Sequence, residues 1–87
     1  MARYEIVLRR SVLKDLKAIP KQDVRRIMHT IGALADNPRP VGCMKLSGQE
    51  KYRIRQGIYR ILYSIEDARL IVCVVKVGYR RDVYRLS

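Results

Sequence analysis

Residues 70–77 read Leu-Ile-Val-Cys-Val-Val-Lys-Val, a nearly continuous apolar run broken only by Lys76. The run is rich in β-branched residues and far shorter than the ~18 residues of a membrane-spanning helix, so a strand is the expected element. The turn sequence Glu66-Asp67-Ala68-Arg69 precedes it and Gly78 follows it. A strand with so little polar character needs cover on both faces and partners on both edges, which makes it a central strand. The remaining residues of an 87-residue chain must supply those partners, and that length allows one small domain, residues 1–87.

Two periods divide the rest of the sequence. Residues 3–9 alternate, with Tyr4, Ile6 and Leu8 against Arg3, Glu5 and Arg9, as in a strand with one buried face. Ser11 is a candidate N-cap for a short helix whose stripe is Val12, Leu13, Leu16 and Ile19. Pro20 closes that helix. A second helix, residues 22–35, carries Val24, Ile27, Met28, Ile31 and Leu34 at helical spacing and ends at Asn37-Pro38-Arg39-Pro40. From residue 51 the period returns to two: Tyr52 and Ile54 alternate with Lys51, Arg53 and Arg55, Gln56-Gly57 forms a turn, and residues 58–65 are rich in strand formers. The expected order is β-α-α-β-β-β. This is a two-layer α+β fold with a helical hairpin on one face of a mainly antiparallel four-stranded sheet, the first strand lying beside the last.

The chain carries 19 Lys and Arg against 8 Asp and Glu, a formal charge of +11. That excess calls for a polyanionic partner or a broadly solvated basic surface. Register gives part of the charge a place. With Gln56-Gly57 as a two-residue hairpin loop, Tyr52, Ile54, Tyr59 and Ile61 share one face and Arg53, Arg55 and Arg60 share the other, with Arg53 directly opposite Arg60. Opposed like charges cost a fraction of a kcal/mol unless an anion sits between them, although long arginines can also splay into solvent. Residues 51–60 contain four basic residues and no acidic one. A second basic cluster, Arg80, Arg81 and Arg85 around Tyr79 and Tyr84, combines phosphate-binding and base-stacking groups, while Tyr84 could equally anchor the C-terminus.

Other chemistries are poorly represented. One His and two Cys cannot complete a four-ligand zinc site without carboxylates. His29 lies on the outer face of the second helix, and neither Cys43 nor Cys73 has a histidine nearby in the pattern. No glycine-rich phosphate loop is present, so no cofactor is expected. The N-terminus lacks a signal-peptide core, giving a cytoplasmic expectation, and neither helix has the bulky apolar face of a membrane anchor.

Several blocks carry a family resemblance: Ser11-Val12-Leu13-Lys14-Asp15-Leu16, Asn37-Pro38-Arg39-Pro40, Lys45-Leu46-Ser47-Gly48, the stretch 52–63, and Val77-Gly78-Tyr79-Arg80-Arg81-Asp82-Val83-Tyr84. Over nearly its whole length the chain resembles the RelE/ParE superfamily of toxins, and within it the RelE branch. The resemblance implies a toxin of a type II toxin–antitoxin system: a ribosome-dependent endoribonuclease that cleaves mRNA in the A site. In it the 2′-hydroxyl attacks the adjacent phosphate without a metal, and a RelB-like antitoxin masks the basic face. It implies catalytic positions at Arg53, Arg55, Arg60, Arg80 and Tyr84, with Lys51, Arg81 and Arg85 as further RNA contacts. Arg55 stands where some relatives carry a lysine proposed as general base, a role to which an arginine, protonated at all ordinary pH, is ill suited. A ParE-like inhibitor of DNA gyrase on the same fold is the alternative, and an inert RNA-binding or antitoxin-binding domain is a third reading.

Overall fold

A computed structural model of the chain describes residues 3–46 and 50–79. The elements run β1 (Glu5–Leu8), α1 (Arg10–Lys17), α2 (Lys21–Ala33), β2 (Met44–Lys45), β3 (Lys51–Gln56), β4 (Tyr59–Glu66) and β5 (Ile71–Tyr79). The apolar run forms β5, and the sheet order is β1-β5-β4-β3-β2, with β1 parallel to β5 and the other pairs antiparallel. The α+β class and the placing of the first strand beside the last follow the sequence reading. The sheet has five strands rather than four, because Met44 and Lys45 pair with Arg53 and Tyr52. A two-residue strand is too short to leave a periodic trace.

Both helices pack on one face, α1 against β5 and α2 against β3. The core between the layers joins Val12, Ile27, Ile31 and Leu34 to Tyr63, Ile61, Val72 and Val74, all 0% exposed. Each buried aliphatic side chain contributes about 1.5–3 kcal/mol.

Within β5 the pairing skips a residue: Leu62 faces Lys76 but Tyr63 faces Val74, so Val75 is bulged out. Even-numbered Val72 and Val74 point into the core before the bulge, and odd-numbered Val77 does so after it. The bulge therefore keeps Lys76 out of the core. Burial alternates along β5 between deep and partial, so the second face is less covered than an unbroken apolar run suggests.

β1 pairs only with residues 71–74, and α1 takes over the edge of β5 beyond that point. The Ser11 hydroxyl donates to the Val75 carbonyl (3.5 Å), and Asp15 accepts from the Val77 N–H (3.2 Å) while pairing with Lys76 Nζ (3.0 Å). Side chains thus cover main-chain groups that an exposed edge would offer to other strands. This employs Ser11 differently from the cap predicted for it. The N-cap is Arg9, which makes no side-chain cap bond, and the helix begins at Arg10. α2 likewise starts and stops one and two residues earlier than its periodicity predicts, at Lys21 and Ala33, with Pro20 as N-cap. Its first-turn Asp23 complements the positive helix end.

A polar clasp joins the segment after α2 to the β4–β5 turn. Arg39 donates to both Asp67 oxygens (3.1 and 2.9 Å), Tyr4 donates to Asp67 (2.6 Å), and the Arg39 guanidinium lies 5.3 Å from the Tyr52 ring centre. Arg39 foremost, then Tyr4, holds the Asp67 carboxyl down at about 2. The turn places Leu70 at φ +55°, so the strand begins at Ile71, one residue later than the apolar run predicts.

Candidate nucleic-acid interface

The face of the sheet opposite the helices carries Arg53 and Arg55 from β3 and Arg60 from β4. Period-two alternation assigned these three residues correctly to one side. Their pairing differs from expectation. The loop is Gly57-Ile58, with Gln56 facing Tyr59, Arg55 facing Arg60, Ile54 facing Ile61 and Arg53 facing Leu62. Gly57, at φ +60°, takes the first central position that a type II′ turn reserves for glycine, and Ile58 takes the second. Sliding the loop by one residue moves each partner by two, so every side chain keeps its face while the opposed pair becomes Arg55–Arg60.

Arg53 and Arg60 are 7% and 9% exposed, whereas Arg55 is exposed. Arg60 has Gly78 as its partner on β5, so no side chain competes with its guanidinium from that position. Arg53 faces Met44 of β2, and its Nη2 lies 3.7 Å from the Met44 sulfur. Lys51 lies two residues along β3 on the same face, opposite Ser64. Guanidinium groups at low solvent exposure interact with a phosphate much more strongly than they would in water, and each presents a planar fork of donors matched to its oxygens. The same groups cannot accept a proton at any ordinary pH. These three side chains can therefore offer positive charge and oriented donors to an anion, but not a base.

Met44 was not identified from the sequence as a neighbour of the site. Its only signal is its place in a two-residue strand. Tyr79 departs from the cluster expected around the C-terminal arginines. It pairs with Tyr59 on the helix side, the two ring centres 5.3 Å apart. Tyr59 in turn donates to Asp23 (2.9 Å), and burial, with that carboxylate beside it, pushes the Tyr59 hydroxyl up to about 12. Arg80, Arg81, Tyr84 and Arg85 lie outside the described residues.

A second surface lies between the helices. Leu13, Leu16, Ile19 and Val24 line a groove of about 730 Å³, bordered by Lys17, Lys21 and Arg25. Its apolar floor and basic rim differ from the arginine face, which is polar throughout β3. Among the described residues, no helix is long and apolar enough to cross a membrane.

A helical pair on a mixed sheet is the architecture of RelE structures. The RelE–RelB complex of Pyrococcus horikoshii superposes with a TM-score of 0.81 at 29% identity, over 92% of this chain and 97% of that one. The chain belongs to the family described as the ParE toxin of type II toxin–antitoxin systems, whose model matches residues 6–84. Within that superfamily its relatives are of the RelE type. It is 31% identical over 90 residues to a RelE-like toxin protein of Escherichia coli, covering 98% of this chain and 94% of the relative. It is 28% identical to the RelE1 toxin of Methanocaldococcus jannaschii, covering 95% and 97%.

Proposed function

We propose that the chain is a ribosome-dependent endoribonuclease that halts translation by cutting mRNA in the A site. The observation that carries this reading is the pair of buried arginines, Arg53 and Arg60, on the face without helices, with Arg55 directly across from Arg60. In the reaction the ribose 2′-oxygen loses its proton and bonds to the adjacent phosphorus. The P–O5′ bond then breaks, leaving a 2′,3′-cyclic phosphate, and the departing 5′-oxygen takes up a proton. The nucleophile is already part of the substrate, so the enzyme's task is to orient it and to neutralise the charge that grows on the phosphoryl oxygens. Arg53 and Arg60 serve that role in this scheme, and the exposed Arg55 adds charge beside them. The 2′-proton passes to water or to a group of the ribosome, because the arginines cannot take it. By resemblance, Arg80 protonates the leaving oxygen, Tyr84 stacks on the target base, and Lys51, Arg81 and Arg85 contact flanking phosphates.

The test is primer extension on ribosomes programmed with mRNA in the A site. The expected result is a new 3′ end within the A-site codon, lost in a folded Arg60→Ala variant. Intact mRNA at saturating protein overturns the reading. The ParE description of the matched family favours one alternative, inhibition of DNA gyrase. A supercoiling assay decides it, since a ribonuclease leaves supercoiling unchanged.

The partner in this reading is a RelB-like antitoxin, as in the Pyrococcus horikoshii complex. An acidic segment with apolar anchors suits both the basic face and the rimmed groove between α1 and α2. The setting is the cytoplasm, where ribosome and antitoxin are both present.

A further inference from the structure

At the tip of the β3–β4 hairpin, on the helix side, a cleft of about 250 Å³ opens between the first turns of α2 and the turn itself. Its lining is Asp23 and Arg26 from α2, and Gln56, Gly57, Ile58 and Tyr59 from the hairpin. The groups are mixed in a way that core packing does not require. Asp23 accepts from the Tyr59 hydroxyl through one oxygen, and a carboxylate has several lone-pair sites left for other donors. Gln56 offers both an acceptor and a donor. Arg26 is exposed at the outer edge, while Asp23 and Gln56 are half-buried. Ile58 is 57% exposed at a turn position normally held by a polar residue. An apolar surface beside half-buried acceptors, with a cation outside, suits a flat heterocycle whose edge is read by hydrogen bonds and whose phosphate faces outward.

Position ties the cleft to the arginine face. Gln56 and Tyr59 are the pair that closes the turn, and Arg55 and Arg60 are the next pair, pointing to the opposite side. A single strand passing round this tip can engage both sides of the hairpin within neighbouring nucleotides. We propose that the cleft is a nucleobase subsite for the RNA, read by Asp23 and Gln56 with Arg26 on the phosphate. The subsite favours a base that carries an exocyclic amine. This rests on the ribonuclease reading above. The preference follows from charge. Asp23 attracts the amino group of adenine, cytosine or guanine, whereas uracil offers a carboxylate only its N3–H, flanked on both sides by carbonyl oxygens that the carboxylate repels.

The experiment is chemical-shift mapping of the ¹⁵N-labelled full chain with AMP, CMP, GMP and UMP, and with inorganic phosphate as control. The first three are expected to shift the Gln56, Gly57 and Ile58 amides saturably, with UMP about tenfold weaker, as for loss of one hydrogen bond to a charged group. Gln56→Ala and Arg26→Ala, neither of them a core residue, are expected to weaken binding of the amine-bearing nucleotides several-fold, a change of order that one hydrogen bond carries. An equal response to all four nucleotides, or the same shifts with phosphate alone, overturns the subsite. Cleavage of ribosomal mRNA by a protein whose cleft ignores nucleotides overturns the subsite and spares the nuclease. Selective cleft shifts in a protein that leaves ribosomal mRNA intact do the reverse.

Discussion

On the helix side of the sheet, Tyr52, Ile54, Tyr59 and Ile61 are buried among aliphatic side chains; on the other side Arg53 and Arg60 are buried to nearly the same degree, at 7% and 9% exposure. The degree of burial is alike and its free-energy consequence is opposite. Removing an aliphatic side chain from water stabilises the fold, whereas removing a guanidinium costs several kcal/mol unless its surroundings compensate. Burial stabilises the first face by itself, whereas the second keeps its guanidiniums only with surroundings that hold their charge. A cation preorganised and poorly solvated in this way needs little rearrangement when an anion arrives.

The sharpest test of this contrast sets one residue of β4 against its neighbour. Ile61→Ala is expected to lose about 2–5 kcal/mol of stability, read as a lower urea midpoint, with activity per folded molecule unchanged. Arg60→Ala is expected to lower mRNA cleavage about 10²–10³-fold. Arg60→Met, which keeps much of the volume and removes the charge, should lose cleavage as Arg60→Ala does while costing less stability than Ile61→Ala. A midpoint for Arg60→Met as low as that of Ile61→Ala breaks the comparison, because Arg60 would then be structural.

A smaller effect is expected at the edge of β5. Asp15→Ala removes the partner of both Lys76 and the Val77 N–H, and should cost about 1–3 kcal/mol by denaturant titration. It should also increase light scattering on storage if α1 guards that edge against pairing with other strands.

The Asp67 clasp provides a test by pH. Its carboxyl is held at about 2, below the usual 3.8, so the folded state binds this proton less readily than the unfolded state. The clasp's stabilisation is complete above about pH 4 and fades as pH falls towards 2. The melting temperatures of wild type and Asp67→Asn should therefore differ at pH 6 and converge near pH 2. A constant difference across that range removes the charged clasp as its cause. Least of all, Ser11→Ala should shift stability by no more than about 0.5 kcal/mol, since its bond to Val75 is long and exposed.

Much of this organisation is legible in the sequence through period. Alternation at residues 51–61 assigns Arg53, Arg55 and Arg60 to one face and Tyr52, Ile54, Tyr59 and Ile61 to the other. That assignment survives the shifted loop, because moving a hairpin loop by one residue changes partners by two. Of the helical stripes, Val12, Ile19, Ile27, Ile31 and Leu34 lie in the core, Leu16 and Val24 are partly buried, and Leu13 and Met28 are exposed, because period alone makes each stripe wider than the face the sheet covers. Ser11 was misread because a serine before an apolar stripe has the same local signature whether it caps a helix or reaches a neighbouring strand. Met44 was missed because two residues cannot display a period.

The sequence by itself determined most of the residues inside, which face is basic and which segment is an interior strand, since these depend on the composition and spacing of neighbours along the chain. Tertiary structure alone decided which arginine opposes which, where β5 bulges to keep Lys76 from the core, and that Tyr79 lies with Tyr59 on the helix side. Each of those is a question of partners 11 to 20 residues away or of a single-residue loop position. They are settled by how two surfaces fit once they meet, which no local pattern records.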